Sequence, residues 1–459
     1  MTDDLPQQPQ KLSWRFPRTF WYANTAELFE RAAYYGMIIA LFKYLVERVG
    51  FTDVEAGFLA GSFSSILYLL PTFLGILADK IGFRRALILA FALLTVGYGL
   101  LGAFQIKSTV ILSLAIIMCG GAIVKPVIAG TAAKCSDEDH RARAFSIFYA
   151  VVNIGAFIGK SAAAPLRQQL GLEYINYYAA GMAFIALLFV VLCYRDVDRT
   201  GTDKTMSEAL QGLIKVLTNH RFLCLIMIVA GFWAIQHQLY ASMPAYITRL
   251  MGEGARPEWL ANINPFVVVV LVIPITHLVR RFRPVNAIAI SLSIIPLSAL
   301  SISLSPVLER ITGTSVDFSY FALHPITVMV IIGIALQGVA ECFLSPKWLE
   351  YASKQAPEGE VGLYMGYMHL SSVFAYLFGF IIAGYMLDAY CPDPTTLSET
   401  AHAQWVLAVE TGASLPEAYA RAHYIWYVFA AIGVTAFLGM LVFKYVTAAT
   451  DRKRAAGVD

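Results

Sequence analysis

Glu27, Glu30, Arg31 and Tyr34, in the stretch AELFERAAYYG, are spaced i, i+3, i+4 and i+7. A helix would carry all four on one face. They sit inside an otherwise apolar run, residues 19–46, of membrane-spanning length. A charge at mid-bilayer costs at least ~2.5–3.5 kcal/mol, and several together are tolerated only where they face a wet cavity or one another. A carboxylate beside a cation changes its proton affinity when helix movement joins or separates the two, so such a cluster can couple protons to motion. A cluster that merely locked helices together would not need ionisable groups, since neutral side chains would serve it better. Lys125 and Glu341 are the other buried ions of interest. With the first run leading outward and the fourth and tenth leading inward, Lys125 lies at a depth similar to Arg31. Glu341 takes the matching position in the second half of the chain. Lys43 and Lys160 are placed near the outer ends of their runs, where a long side chain can snorkel to the interface, and Lys347 could snorkel inward.

The elements that must hold these residues follow from composition. The 459 residues are 58% hydrophobic and only 14% charged, which points to an integral membrane protein. Each spanning helix needs roughly 20 apolar residues. Twelve runs meet that measure: 19–46, 54–78, 86–105, 108–132, 143–165, 175–194, 222–249, 260–280, 285–305, 325–353, 361–388 and 423–446. All are expected to be helices, because an open strand in lipid leaves its backbone unsatisfied. The start, MTDDLPQQPQKLSWRF, lacks the short apolar core of a cleaved signal, so the first span is expected to be retained.

Placing most Lys and Arg inside, among them Arg84, Arg85, Arg141, Arg143, Arg280, Arg281, Arg283, Arg452, Lys453 and Arg454, puts both termini on the cytoplasmic side. The most polar inner connection, 195–221, divides the chain into a bundle at 1–194 and a bundle at 222–459, six helices each. The outer connection 389–422 reads as a long solvent loop. No sequence self-match links the halves, yet the short basic turn GILADKIGFRR between the second and third runs resembles the loop motif of the major facilitator superfamily.

The six cysteines are scattered, with no CxxC and no metal-ligand spacing, and read as small hydrophobes without disulfides. No metal or other cofactor is expected, and no strongly basic domain argues for nucleic acid. Nor does any nucleophile with an adjacent base, or any phosphate loop, support an enzyme.

Several motifs, in order along the chain, resemble the proton-dependent oligopeptide transporter family. Glu27-x-x-Glu30-Arg31-x-x-Tyr34-Tyr35-Gly36 looks like its first-helix signature. GGAIVKP, ending in Lys125-Pro126, resembles the fourth-helix pattern, and FYAVVNIG, with Phe148, Tyr149, Asn153 and Gly155, the fifth. FWAIQHQ is similar to the seventh, Glu341 with Ser345-Pro346 to the tenth, and LSS at 370–372 to the eleventh. Three departures matter. The connection 195–221 is too short for the two additional helices usual in bacterial members. Ile38 and His237 stand where the family often has an Arg and an acid, so one inter-half charge pair is missing. The aromatic pair expected around Met368 and His369 is altered.

The resemblance implies an all-α major facilitator fold and a proton symporter for di- or tripeptides or a related small zwitterion, acting as a monomer in the bacterial inner membrane. It implies that Arg31 and Lys125 meet the substrate carboxylate and that Asn153, Asn264 and Glu341 meet its amine, with Tyr34 and Tyr68 lining the cavity. Glu27, Glu30, Arg31 and Glu341 would exchange protons. Lys125 and Glu341 would pair between the bundles until substrate and a proton on Glu341 release them. His237 reads first as a cavity histidine with hydrogen-bonded neighbours. Two alternatives stand beside this reading: a carrier of the same fold for another peptide-like metabolite or anion, and a membrane sensor that does not transport. Glu341→Gln is expected to abolish accumulation driven by a pH gradient in proteoliposomes, and undiminished accumulation would remove the proton role from Glu341.

Overall fold

The computed structural model describes residues 16–136, 140–195, 206–355, 364 and 366–455. Residues 1–15, and 196–205 of the connection between the halves, lie outside it. The first half comprises α1 (Arg18–Glu47), α2 (Asp53–Leu69), α3 (Pro71–Ile81), α4 (Phe83–Ala103), α5 (Lys107–Lys134), α6 (Arg141–Gln169) and α7 (Leu172–Cys193). A connecting helix, α8 (Met206–Thr218), precedes the second half. This half contains α9 (His220–Gln236), α10 (Ser242–Met251), α11 (Pro257–Leu260), α12 (Ile263–Leu278), α13 (Pro284–Ser303), α14 (Ser305–Thr312), α15 (Pro325–Gln355), α16 (Leu370–Tyr390), α17 (Glu399–Thr411) and α18 (Tyr424–Ala455). A small exposed hairpin, β1 (Val316–Phe318) against β2 (Phe321–Leu323), joins α14 to α15 and is a minor departure from an all-α chain.

Among the described residues ten helical spans are long and apolar enough to cross a membrane, and the pair α2–α3, bent by 48°, makes eleven. Pro71 at the first position of α3 accounts for the bend, since its ring cannot continue the hydrogen-bond ladder of α2. The thirty-residue α1 is the twelfth. Glu27, Glu30, Arg31 and the terminal charges keep every stretch of it too polar to be counted on composition.

Several expected runs are broken. The seventh divides into α9 and α10 at a 3₁₀ turn, His237–Leu239. The eighth is preceded by the short α11, from which α12 is separated by a break at Ala261 and Asn262. The eleventh is interrupted at Met368 and His369, just before α16. Helices broken at membrane depth leave backbone groups free, and these must be satisfied by protein or by a water-filled cavity. The outer connection is not simply loop, because Ser398 caps the thirteen-residue α17, which Gly412 closes at φ 73°.

Two contacts depend on glycine. A methyl at Gly159 of α6 would come within 2.3 Å of the Ala32 carbonyl oxygen of α1, with Gly36 directly opposite. On the boundary between the halves, a methyl at Gly57 of α2 would meet the Phe380 carbonyl oxygen of α16 at 2.4 Å, and one at Gly384 the Asp53 carbonyl oxygen at 2.5 Å. Backbones approach this closely in lipid only where side chains are absent. Gly159→Ala is therefore expected to destabilise by about 1–3 kcal/mol as overpacking does. Melting in detergent checks it against Gly99→Ala, whose added methyl meets nothing within 4 Å.

Candidate functional site

The charges of α1 pair with one another first. The Arg31 guanidinium donates from Nε to Glu30 and lies 3.3 Å from Glu27 Oε1, while both carboxylates are buried. One residue of spacing reaches Glu30 and one helical turn reaches Glu27, so a single helix supplies the whole cluster. The same guanidinium faces the Tyr34 ring at 5.3 Å and the Tyr35 ring at 6.0 Å. Glu27 Oε2 and the Tyr34 hydroxyl are buried with no hydrogen-bond partner among the described residues.

Lys125 reaches the same space from α5, directly before the in-helix Pro126. Its ammonium stands 4.9 Å over the Tyr68 ring. Among the described residues it pairs with no carboxylate. Tyr68 continues an aromatic series into the second half: Tyr376 at 5.1 Å, then His237 stacked on Tyr376 at 3.6 Å and 9°, then Trp233 at 5.7 Å. His237 is thus packed face-on rather than hydrogen-bonded, with its Nδ1 buried and unpartnered among the described residues.

Glu30, Arg31, Tyr34, Tyr68 and Lys125 line one cavity of about 730 Å³. That volume falls within the range of small-ligand sites. Tyr98, Tyr367 and His369 join its wall, and Glu208, Gln211 and Lys215 of α8 close its end on the side of the connection between the halves. Sequence reasoning missed these walls. The altered Met368–His369 pair was the available signal for His369, whereas α8 was hidden inside a segment read only as polar linker.

The remaining expected residues lie elsewhere. Glu27 sits behind Arg31. Glu341 of α15 accepts hydrogen bonds from Gln236 Nε2 at 3.0 Å and Asn264 Nδ2 at 3.3 Å, and neither Glu341 nor Asn264 lines the cavity. The Asn153 amide donates back to the Tyr149 carbonyl of its own helix at 2.8 Å. No Lys125–Glu341 ion pair is formed in this structure. Lys160 and Lys43 do not snorkel. α6 continues to Gln169, nine residues beyond Lys160, or about 13 Å at ~1.5 Å per residue, which is too deep for its side chain to reach water. Lys160 is buried and donates to the Ala261 carbonyl at 3.1 Å. Lys43 is buried between Glu47, at 2.5 Å, and Glu253 of the other half.

A family model described as the Major Facilitator Superfamily matches residues 29–316 and 311–458. The chain belongs to this superfamily. It is 25% identical over 328 residues to dipeptide and tripeptide permease B of Yersinia enterocolitica serotype O:8 / biotype 1B, covering 68% of this chain and 63% of that one. Over 187 residues it is 31% identical to dipeptide and tripeptide permease B of Photorhabdus asymbiotica, covering 40% and 38%. The matches thus span less than two thirds of these relatives' lengths. Among solved structures, a peptide transporter POT in complex with sulfate superposes at a TM-score of 0.73 with 18% identity, covering 97% of each chain. A structure from work on substrate recognition in proton dependent oligopeptide transporters gives 0.69 and 18%, covering 95% of this chain and 99% of the other. At such identities these two establish the fold.

In this Major Facilitator fold the face opposite α8 is sealed by ions that cross between the halves. Arg249 of α10 grips Asp53 of α2 through both carboxylate oxygens, at 2.6 and 2.7 Å, and donates to the Cys391 carbonyl at 2.7 Å. Arg167 of α6 binds Glu258 at 2.6 Å and Glu253 at 2.7 Å, beside the Lys43–Glu253 pair. The outer connection takes part, since the Trp405 indole of α17 donates to the Arg249 carbonyl and Asp393 lies 3.6 Å from the guanidinium. Arg249→Gln leaves Asp53 buried without its counter-ion, and breaking a buried pair costs about 3–5 kcal/mol. Melting of the detergent-purified protein should register that loss, and Asp53→Asn combined with Arg249→Gln should recover part of it.

Proposed function

We propose that the chain is a proton-coupled symporter that imports di- or tripeptides, or a related small zwitterion, by alternating access, as a member of the proton-dependent oligopeptide transporter family. The observation that carries this reading is the cavity itself, where Arg31 and Lys125, which pairs with no carboxylate among the described residues, face one space lined at its end by α8, while the opposite face of the molecule is closed by cross-half ion pairs. The permease names of the relatives support it.

In this reading Arg31 offers a planar fork, and Lys125 a point charge, to the substrate carboxylate, while Tyr34 and Tyr68 bound the cavity. Asn153, Asn264 and Glu341 receive the amine once the second half has moved inward. Glu27, Glu30, Arg31 and Glu341 exchange protons, and the α1 cluster titrates as a unit. The bundles 1–194 and 222–459 rock about the cavity, joined by 195–221. An ion pair between Lys125 and Glu341 belongs to a conformation in which the halves have closed further on the cavity. The protein sits in the bacterial inner membrane as a monomer with both termini cytoplasmic.

One observation favours a second reading. Glu341 and Asn264 stand outside the cavity while Lys125 is free within it, an arrangement better suited to an anionic peptide-like metabolite than to a zwitterion. Uptake driven by an acid-outside gradient into proteoliposomes, tested against a dipeptide library, distinguishes the two. Accumulation of dipeptides supports the first reading; counterflow of anions alone supports the second. In the first case Lys125→Gln should raise the concentration for half-maximal uptake about tenfold, since a charge-assisted contact contributes roughly 1.5–3 kcal/mol.

A further inference from the structure

Lys160 is the least explained ion in the molecule. It is 2% exposed, and of its three N–H groups one is bonded, to the Ala261 carbonyl. That carbonyl is available because residue 265 is a proline with no N–H to return to it and because the span breaks at this point. The Tyr35 ring lies 5.8 Å from the ammonium on the other side. Among the described residues no carboxylate comes within ion-pair distance. A buried ammonium in this condition calls for a counter-ion.

The break that frees Ala261 also sets Asn264 one turn further on, and the Asn264 amide holds Glu341. Lys160 of the first half and Glu341 of the second are therefore held at points three residues apart, Ala261 and Asn264, where the break leads into α12. Among the described residues Glu341 has two neutral amides as direct partners, Gln236 and Asn264. A small slide of α12 would exchange those amides for the ammonium. The inter-half pair missing at Ile38 and His237 leaves a vacancy in the charge pattern; the first is a buried aliphatic residue and the second is stacked between aromatic rings.

We propose that Lys160 is the counter-ion of Glu341 while the outer face is sealed, balancing its charge across the Ala261–Asn264 segment without direct contact, and that this cross-half interaction leaves Lys125 free for the anionic end of the substrate. Lys160 acts as a positioning residue, and its consequence for transport rests on the symport reading above. Glu341 then exchanges counter-ions, its charge balanced by Lys160 from across the α12 start in the sealed state and released when the halves move.

A melting cycle on the detergent-purified chain tests the pair without any substrate. Lys160→Gln and Glu341→Gln are each expected to lower the melting temperature, and the double variant no further than the worse single. Lys347→Gln, whose partner is Glu350, should add to Glu341→Gln in full. Additive loss for Lys160 and Glu341 would overturn the pair. If Lys160→Gln alone does not yield folded protein, recovery of a monodisperse protein by the double variant supports the pair and continued failure overturns it. In proteoliposomes Lys160→Gln should lose about tenfold of gradient-driven uptake while counterflow stays within about twofold, and Lys160→Arg should restore the drive. Unchanged drive, or equal loss of drive and counterflow, would refute the positioning role. A wild-type chain that moves no peptide would instead sink the symport reading, and the melting cycle would still decide the pair.

Discussion

An ion placed in hydrocarbon must find a partner or water, and this requirement organises the whole molecule. Arg31 is neutralised by two carboxylates of its own helix, so α1 can cross the membrane carrying charges that would exclude an unpaired helix. Once that cluster is satisfied locally, the cavity retains Lys125 as a cation with no carboxylate partner among the described residues. The cavity thus carries a defined polarity, and not merely polar walls. The ions of the sealed face meet the same demand by a different route, pairing between the halves instead of within a helix. Charge placed within one helix is permanent, whereas charge paired across the boundary can be exchanged.

Much of this was legible in the residues. The i, i+3, i+4, i+7 spacing of Glu27, Glu30, Arg31 and Tyr34 specified one face, and Lys125 before Pro126 was legible as a buried cation. These five residues are local features of single helices, and all but Glu27 line one cavity. The span count followed from apolar length, because hydrocarbon thickness imposes it. What did not follow was anything set by a break in a helix or by contact between distant helices. The turn at His237–Leu239 lies within an unbroken apolar run and the gap at Ala261–Asn262 at the first residues of another, where hydropathy does not register a break.

Lys160 shows why depth was misjudged. The apolar run in the sequence stops near residue 165, but α6 continues to Gln169, where Arg167 and Gln168 bind acceptors of the opposite half. Arg167, a polar residue that would normally mark a membrane boundary, is buried by the partner bundle. Lys43, four residues from the end of α1, is instead covered by its partners Glu47 and, from the opposite half, Glu253. In both cases the ruler measured lipid exposure, while the side chain answered to protein contact.

The glycine contacts of α2 with α16 have a kinetic consequence. Where Gly57 and Gly384 lay backbone against backbone no side chains have to interlock, so that stretch leaves few rotamers to search on return, the aromatic Tyr68–Tyr376 contact lying further along the same helices. Their hold is supplied by the ionic rim at Asp53 and Arg249, whose attraction reaches further than dispersion. A closure built in this way can release and reseat repeatedly without reshuffling a packed interior, as a door does when its latch and its hinge face are separate parts.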